Sequence, residues 1–306
     1  MRLTLQAGGP RRFLRYPLLV PDQPSLTERL ALRLQRFGPI SCPVCGQLGY
    51  ATRFGTSPLD FRDAAYCSSC LATNRQRQLA YIVCASFATL TGRRINSLMQ
   101  VTALDGFVVY NTEAQGPIHQ HLAHMPGYRC SEYIGPNHAS GTLVGDVVHQ
   151  DLTRLSYHDD SIDLVLSSDV LEHIPDPYHA HAEVHRVLRP GGRHIFTVPF
   201  HQTEFLDERR AALDPTGQVV LLKQPAIYHT DAPLYHGDPT RPTPGVLVYT
   251  IFALEMLVRL RQLGFVTNLY QLQAPWRGIF GSNAIVFEAI KLLSLAAQPP
   301  IFGTTI

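Results

Sequence analysis

No run in this 306-residue chain approaches the ~20 apolar positions that a membrane-spanning helix needs. The N-terminus also lacks the apolar core and small-residue cleavage site of a secretory signal, so the expected compartment is the cytoplasm. An excess of one charge is missing too. The 26 Lys and Arg nearly cancel the 24 Asp and Glu, leaving +2 at pH 7. That balance gives no global field to gather nucleic acid. Nor are basic residues interleaved with aromatics as on an RNA-binding surface. What is present supports a full core: 45% hydrophobic residues, over a length that suits one large domain or a domain with an appendage. Six cysteines include two Cys-x-x-Cys pairs, which a reducing compartment turns toward metal and away from disulfides.

The chain is organised around residues 159–199. Ile162 to Leu166 is a short branched apolar run, the pattern of a buried strand. Ala180, Val184, Val187 and Leu188 then recur at helical spacing within Asp176–Leu188. Pro190-Gly191-Gly192 is read as the stop and turn, and His194–Val198 as a second buried strand. Strand, helix and strand make a βαβ unit with parallel strands and a right-handed crossover. Ligands of such sheets sit beyond the C-terminal strand ends. That puts Ser167, Ser168, Asp169, Glu172 and His173 at the mouth of a site.

Asp163-Leu164-Val165, Asp169-Val170-Leu171-Glu172-His173-Ile174 and Arg186-Val187-Leu188-Arg189-Pro190-Gly191-Gly192 resemble the post-strand-4 region of class I S-adenosylmethionine-dependent methyltransferases. The resemblance covers about residues 98–291 and implies an α/β fold, a Rossmann-like seven-stranded sheet. It implies transfer of a methyl group from S-adenosylmethionine to an acceptor nucleophile. It further implies roles for single residues. Gly106–Tyr110 would be the first strand, and Tyr128–Glu132 the second. The family's first loop is glycine-rich; here Glu113 stands as its leading acid and Gly116 is the glycine that remains. Glu132 would hold the ribose hydroxyls. Asp151 would accept from the adenine amino group while Leu152 packs on the ring, with turn stabilisation as the alternative for Asp151. Ser168 completes the cofactor contacts. Asp169 and His173 would border the transfer centre, His173 otherwise packing beneath the cofactor.

Upstream, residues 1–24 are rich in Arg and Pro and read as an extended arm. Ser25 to Glu28 form a capping box, and Leu26, Leu30, Leu34 and Phe37 mark one helical face that Gly38-Pro39 ends. That helix would pack on the next module or on a second copy of the chain. Cys42-x-x-Cys45 and Cys67-x-x-Cys70 have the spacing of two knuckles on one tetrahedral ion, with a short strand at Tyr50–Phe54 between them. This resembles a zinc ribbon, with Cys42, Cys45, Cys67 and Cys70 as structural ligands; a redox dithiol pair or coincidental buried cysteines are the competing readings. Arg75 and Arg77 open the following helix, either facing an anionic substrate or solvated on its first turn. Boundaries follow at 1–39 for the arm and helix, 40–97 for the zinc-ribbon-like module, and 98–306 for the catalytic domain.

Residues 200–248 form a long irregular connection after the fifth strand, where an active-site lid belongs. Candidate bases are His173, His201, His229 and His236, with His236 preferred for its place in the lid. A divalent ion on His229, Asp231, His236 and Asp238 is a further reading that loop spacing leaves open. Phe252–Leu263 reads as a helix, and Phe265–Leu272 with Asn283–Ala289 as the last two strands. The lid's histidines and aromatics favour O-methylation of a saccharide, glycan or small metabolite. An RNA acceptor read by the zinc module is the runner-up. A binding protein that has lost catalysis is the reading from another class, motivated by the thin glycine loop.

Overall fold

The computed structural model describes residues 36–53, 62, 63, 65–222, 233–238, 241–281 and 285–292. The expected arm, its capping box at Ser25, and Tyr228, His229 and Asp231 of the lid lie outside the described residues.

The described chain begins with β1 (Arg36–Ser41), β2 (Leu48–Arg53) and β3 (Ala65–Cys67), paired antiparallel in chain order. Phe37 to Pro39 therefore lie in a strand and not at a helix end. A register shift between Phe37 and Ile40 absorbs the Gly-Pro step, and Ile40 and Ser41 then pair with Gly49 and Leu48 beside the first Cys pair. Helix α1 (Asn74–Thr91) follows. Thr73 and Gln76 form a reciprocal capping box at its start, and Gly92 closes it in a left-handed conformation. A short α2 (Leu98–Val101) leads to β4 (Val109–Asn111), α3 (Gly116–Leu122) and β5 (Tyr128–Cys130).

The centre of the chain is β6 (Ile162–Ser168), α4 (Pro177–Val187) and β7 (Leu188–Thr197). Asp176 caps α4 by accepting from His179 N, and Pro177 supplies a preset first turn. Pro190 to Gly192 do not break the chain away from the sheet as expected. β7 runs through them with a register shift against β6. A side chain at Gly192 would come within 2.8 Å of Arg189 O, so only glycine fits this bulge. After the lid segment come β8 (Tyr235–Asp238), β9 (Arg241–Leu247), α5 (Leu254–Gln262), β10 (Phe265–Gln271) and β11 (Ile285–Lys291).

The main sheet has six strands in the order β10-β11-β7-β6-β4-β5. Its β7-β6-β4-β5 part is parallel, and β10 and β11 close it antiparallel. This is a Rossmann-like mixed sheet. The resemblance implied seven strands; among the described residues no seventh joins the sheet, and Glu132 and His149 form a single parallel bridge beside β5. Val147 and Val148 pair back on Leu143 and Val144 instead, because the short connection 133–145 closes as a local hairpin. None of the described helices is long and apolar enough to cross a membrane.

The cysteine module shares its core with the sheet. Cys42, Val44, Cys45 and Cys67 belong to one buried cluster with Leu79, Ile82, Leu98, Leu164, Leu166 and Ile195. Arg77 lies inside this junction, fully buried. It donates to the carbonyls of Ala65 at 3.0 Å and Gly278 at 2.8 Å. Burial pushes its guanidinium down, and the nearby cysteine sulfurs pull it back. Arg77 is thus a brace, not a substrate ligand.

On the other face, α4 buries His181 against the rings of Tyr178, His194 and Phe196. Neither ring nitrogen of His181 has a hydrogen-bond partner among the described residues. Burial pushes His181 down to about 3, so it is neutral in the fold. The unfolded chain binds the proton near its ordinary value, so stability falls as pH drops from about 6.5 toward about 3. The expected slope from this group is up to ~1.4 kcal/mol per pH unit. Urea midpoints measured from pH 7 to pH 5 should fall less steeply in His181→Phe than in the parent. Equal slopes would remove His181 from the acid sensitivity.

Candidate functional site

A cleft of about 1560 Å³ opens beyond the C-terminal ends of β4, β5 and β6. Single small-molecule pockets run to roughly 300–1,000 Å³, so this one has room for two ligands. Glu113, Gly116, Glu132, Asp151, Leu152, Ser168, Asp169, His173 and His236 all line it. Residues read from five separate stretches of sequence therefore meet at one surface. Ser167 does not join them: it is buried, with its hydroxyl 2.8 Å from His194 Nε2. His201 is not among the lining residues and pairs with Glu208 at 3.1 Å.

The loop between β4 and α3 is held by side chains where glycines were expected. Asn111 Nδ2 donates to Glu113 O at 2.9 Å and to Tyr128 Oη at 3.1 Å. Ala114 N donates to Glu132 Oε1 at 2.8 Å. Gly116 takes a positive φ of 79° and starts α3 without crowding. Thr112 Oγ1 is buried, lines the cleft, and has no hydrogen-bond partner among the described residues. A buried hydroxyl in that state calls for a ligand's polar group. Burial pushes Glu113 up to about 7, against the pull of Arg75. Asp151 accepts from Thr153 N at 2.8 Å and Thr153 Oγ1 at 2.7 Å, so its turn-stabilising role is realised while it also lines the cleft.

At the end of β6 the chain enters Asp169 with a φ of 54°, a left-handed conformation that costs a non-glycine residue. Its carboxylate is clamped. Arg62 binds it with both terminal nitrogens, one at 2.5 Å, and Arg75 Nη1 lies 3.1 Å away. Thr197 Oγ1 donates at 2.9 Å. Burial raises the Asp169 pKa, but Arg75 and Arg62 outweigh it and hold the group near about 2. Arg75 also donates to Ser168 Oγ at 2.7 Å. Of the two arginines considered for the cleft, Arg75 faces it and Arg77 does not. Arg62 was not legible, since nothing in the stretch between the cysteine pairs singles it out.

Glu172 and His173 follow in a single 3-10 turn, Leu171–His173. Glu172 is fully buried, and neither carboxylate oxygen has a hydrogen-bond partner among the described residues. Its Oε1 lies 3.5 Å from His236 Nδ1 and 3.8 Å from His173 Nε2. Both are ion-pair distances, too long for good hydrogen bonds. Burial pushes Glu172 up to about 7, with His236 pulling the other way. The β8–β9 pair brings these groups together. His173 Nδ1 donates to Leu247 O at 2.8 Å, and Tyr249 N donates to Glu172 O at 2.7 Å.

The second site is the cysteine cluster. Cys42 and Cys70 sulfurs are 3.9 Å apart, as are those of Cys45 and Cys67. All four lie within 4.8 Å of one another. A tetrahedron of ~2.3 Å zinc–sulfur bonds has edges of about 3.8 Å, so the cluster is compatible with zinc.

Comparisons with known proteins bear on the first site. Residues 130–196 match the family profile described as "Methyltransferase domain". The matched stretch runs from the end of β5 to the end of β7 and includes Glu132, Asp151, Leu152, Ser168, Asp169, Glu172 and His173. An uncharacterised methyltransferase of Mycobacterium marinum is 48% identical over 58 residues, 19% of this chain and 22% of that protein. One from Mycolicibacterium vanbaalenii is 38% identical over 114 residues, 28% of this chain and 45% of its own. The chain thus spans less than half the length of these curated relatives. Among solved structures, a S-adenosylmethionine-dependent methyltransferase of Methanosarcina mazei is 19% identical, with a TM-score of 0.37 over 64% of this chain and 98% of its own.

The Asp169 clamp should contribute measurably, because charge-assisted bonds at partly buried sites are worth about 1.5–3 kcal/mol. Arg62→Ala should lower unfolding free energy by about that amount, read by urea titration. Metal content should stay unchanged, since Arg62 is not a cysteine-site ligand. A fully stable variant would show that Arg75 alone holds Asp169.

Proposed function

We propose that the chain is a S-adenosylmethionine-dependent methyltransferase acting on a small hydroxyl-bearing acceptor of the saccharide, glycan or metabolite class. One observation carries the reading: the cofactor residues suggested by resemblance line the same cleft, inside or beside the matched methyltransferase domain. The cofactor's fit is supported by two features of the cleft, a carboxylate at the end of β5 and an unpartnered buried hydroxyl at Thr112. Glu132 would hold the ribose hydroxyls, Asp151 and Leu152 the adenine, and Glu113, Gly116 and Ser168 the methionine end. S-Adenosylmethionine would supply an electrophilic methyl group there. The protein's contribution is to orient the acceptor, exclude water and manage its proton. His173 and His236 lie on the acceptor side, on the turn after β6 and on β8. While no cation is bound beside it, His236 is the proton-handling residue in this reading, 3.5 Å from the buried Glu172 carboxylate.

The near-neutral charge leaves an RNA acceptor without an electrostatic footprint. The large cleft favours a cofactor plus a compact acceptor over a cofactor alone.

Calorimetric titration with S-adenosylhomocysteine tests the cofactor site. Glu132→Ala should weaken binding at least ~10-fold, since a charge-assisted pair is lost. Glu132→Gln keeps an acceptor for Ala114 N and should recover part of the affinity. No binding by the parent protein would turn the reading to a methyltransferase-like binding protein.

For the cysteine site we propose one structural zinc ion on Cys42, Cys45, Cys67 and Cys70. Protein purified without chelator should contain about one equivalent. Cys67→Ser should lose it, with partial unfolding at the N-terminal strands seen by circular dichroism. Metal-free protein of full stability would overturn the assignment.

A further inference from the structure

Glu172 poses a physical problem. Its carboxylate is fully buried, yet neither oxygen meets a hydrogen-bond donor among the described residues. Three residues away, Asp169 is mostly shielded from water and is satisfied by two arginines and a threonine. A buried carboxylate left so costs several kcal/mol unless it takes up a proton or something cationic completes it.

The histidines on either side show what that something is. His173 Nδ1 donates to Leu247 O, which in the neutral imidazole leaves the lone pair on Nε2, 3.8 Å from Glu172 Oε1. A carbonyl-anchored imidazole of this kind is the usual arrangement of a metal-ligating histidine. His236 approaches the same oxygen from the other side, Nδ1 at 3.5 Å, with its ring edge-on to His173 at 5.2 Å. An acid–base dyad needs one histidine; here two converge on one oxygen. Ligand atoms around an ion with ~2.0–2.2 Å bonds sit about 3–3.5 Å apart, close to the spacings seen.

We propose that Glu172, His173 and His236 form a divalent-cation site, with the carboxylate, His173 Nε2 and His236 Nδ1 as ligands. The three ligand atoms lie within 4.8 Å of one another. Two imidazoles and a carboxylate suit a first-row transition ion such as Mn²⁺, Fe²⁺, Co²⁺ or Zn²⁺ better than Ca²⁺. His173 and His236 line the cleft, so the remaining coordination positions take an oxygen donor entering there. Resting on the methyl-transfer reading, that donor is the acceptor's hydroxyl, whose acidity the ion raises. His236 is shared with the sequence reading of an ion on the lid; His229 and Asp231 of that reading lie outside the described residues.

The site can be tested without an acceptor. Full-length protein at neutral pH is titrated with Mn²⁺ and followed by electron paramagnetic resonance. Saturable binding of about one ion per chain is expected, with nitrogen couplings in pulsed spectra from imidazole ligands. His236→Asn should weaken binding at least ~10-fold and remove part of the nitrogen coupling. Glu172→Gln should weaken it similarly; if that buried variant does not fold, His236→Asn on the half-buried hairpin decides alone. No saturable binding, or binding without nitrogen coupling, overturns the proposal. So does Mn²⁺ affinity that survives His236→Asn. S-Adenosylhomocysteine calorimetry on the same preparation separates the two claims. Cofactor binding without Mn²⁺ binding overturns the cation site and leaves the methyl-transfer reading standing. Specific Mn²⁺ binding without cofactor binding supports the site and removes that reading instead.

Discussion

The carboxylate of Asp169 is the fixed point of this molecule. It sits where β6 ends, in a backbone conformation that a non-glycine residue enters only under constraint. Arg62 and Arg75 reach it from the cysteine module and from the start of α1. Thr197, at the end of β7, completes the cage. One side chain thus ties the N-terminal strands, the first long helix and two central strands at the floor of the cleft. The tie resists salt better than a surface pair would, since both partners are mostly shielded from water. It also explains why the cysteine cluster bears on the cleft. The cluster fixes β1 to β3, and that fixes where Arg62 and Arg75 can stand.

The second constraint is the docking of the β8–β9 hairpin on the same turn. Backbone bonds from Tyr249 to Glu172 and a side-chain bond from His173 to Leu247 fasten it. The hairpin therefore does not simply hang over the cleft. It is pinned to the residues it helps to equip, and it delivers His236 to within 3.5 Å of a buried carboxylate.

The βαβ centre was legible because its signals are local. Apolar runs, helical spacing, Asp176 as a cap and the motif around Glu172 all lie within forty-odd contiguous positions of sequence. Residues assigned by resemblance, from Glu113 to Ser168, come to one cleft because strand ends are where this topology gathers side chains. What was hidden is non-local. Arg62 is separated from Asp169 by 107 positions, and no pattern in its neighbourhood marks it. Arg77 read like Arg75 on a helical first turn, and only tertiary packing decides that one braces carbonyls while the other faces the cleft. The thin glycine loop looked like weakness. Its support by Asn111 at the end of β4 and by Glu132 just after the neighbouring β5 could not be seen in spacing. The seventh strand failed for a local reason, since Val147 and Val148 pair with Val144 and Leu143 just upstream.

Asp169 and Glu172 lie on one turn, the first beside the cleft and the second fully buried, and the chain treats them in opposite ways. Asp169 is given two guanidinium groups, and its charge is secured. Glu172 is given two imidazoles at distances no hydrogen bond prefers. Had the fold required only a satisfied buried carboxylate, a single donor in place of either histidine would have sufficed. Imidazole differs from guanidinium in one respect that matters here: it can offer a lone pair. Three lone-pair donors around one point are unfavourable by themselves and become favourable when a cation joins them. The turn after β6 therefore separates two tasks within four residues. Asp169 holds the architecture, and Glu172 stays in reserve for what enters the cleft.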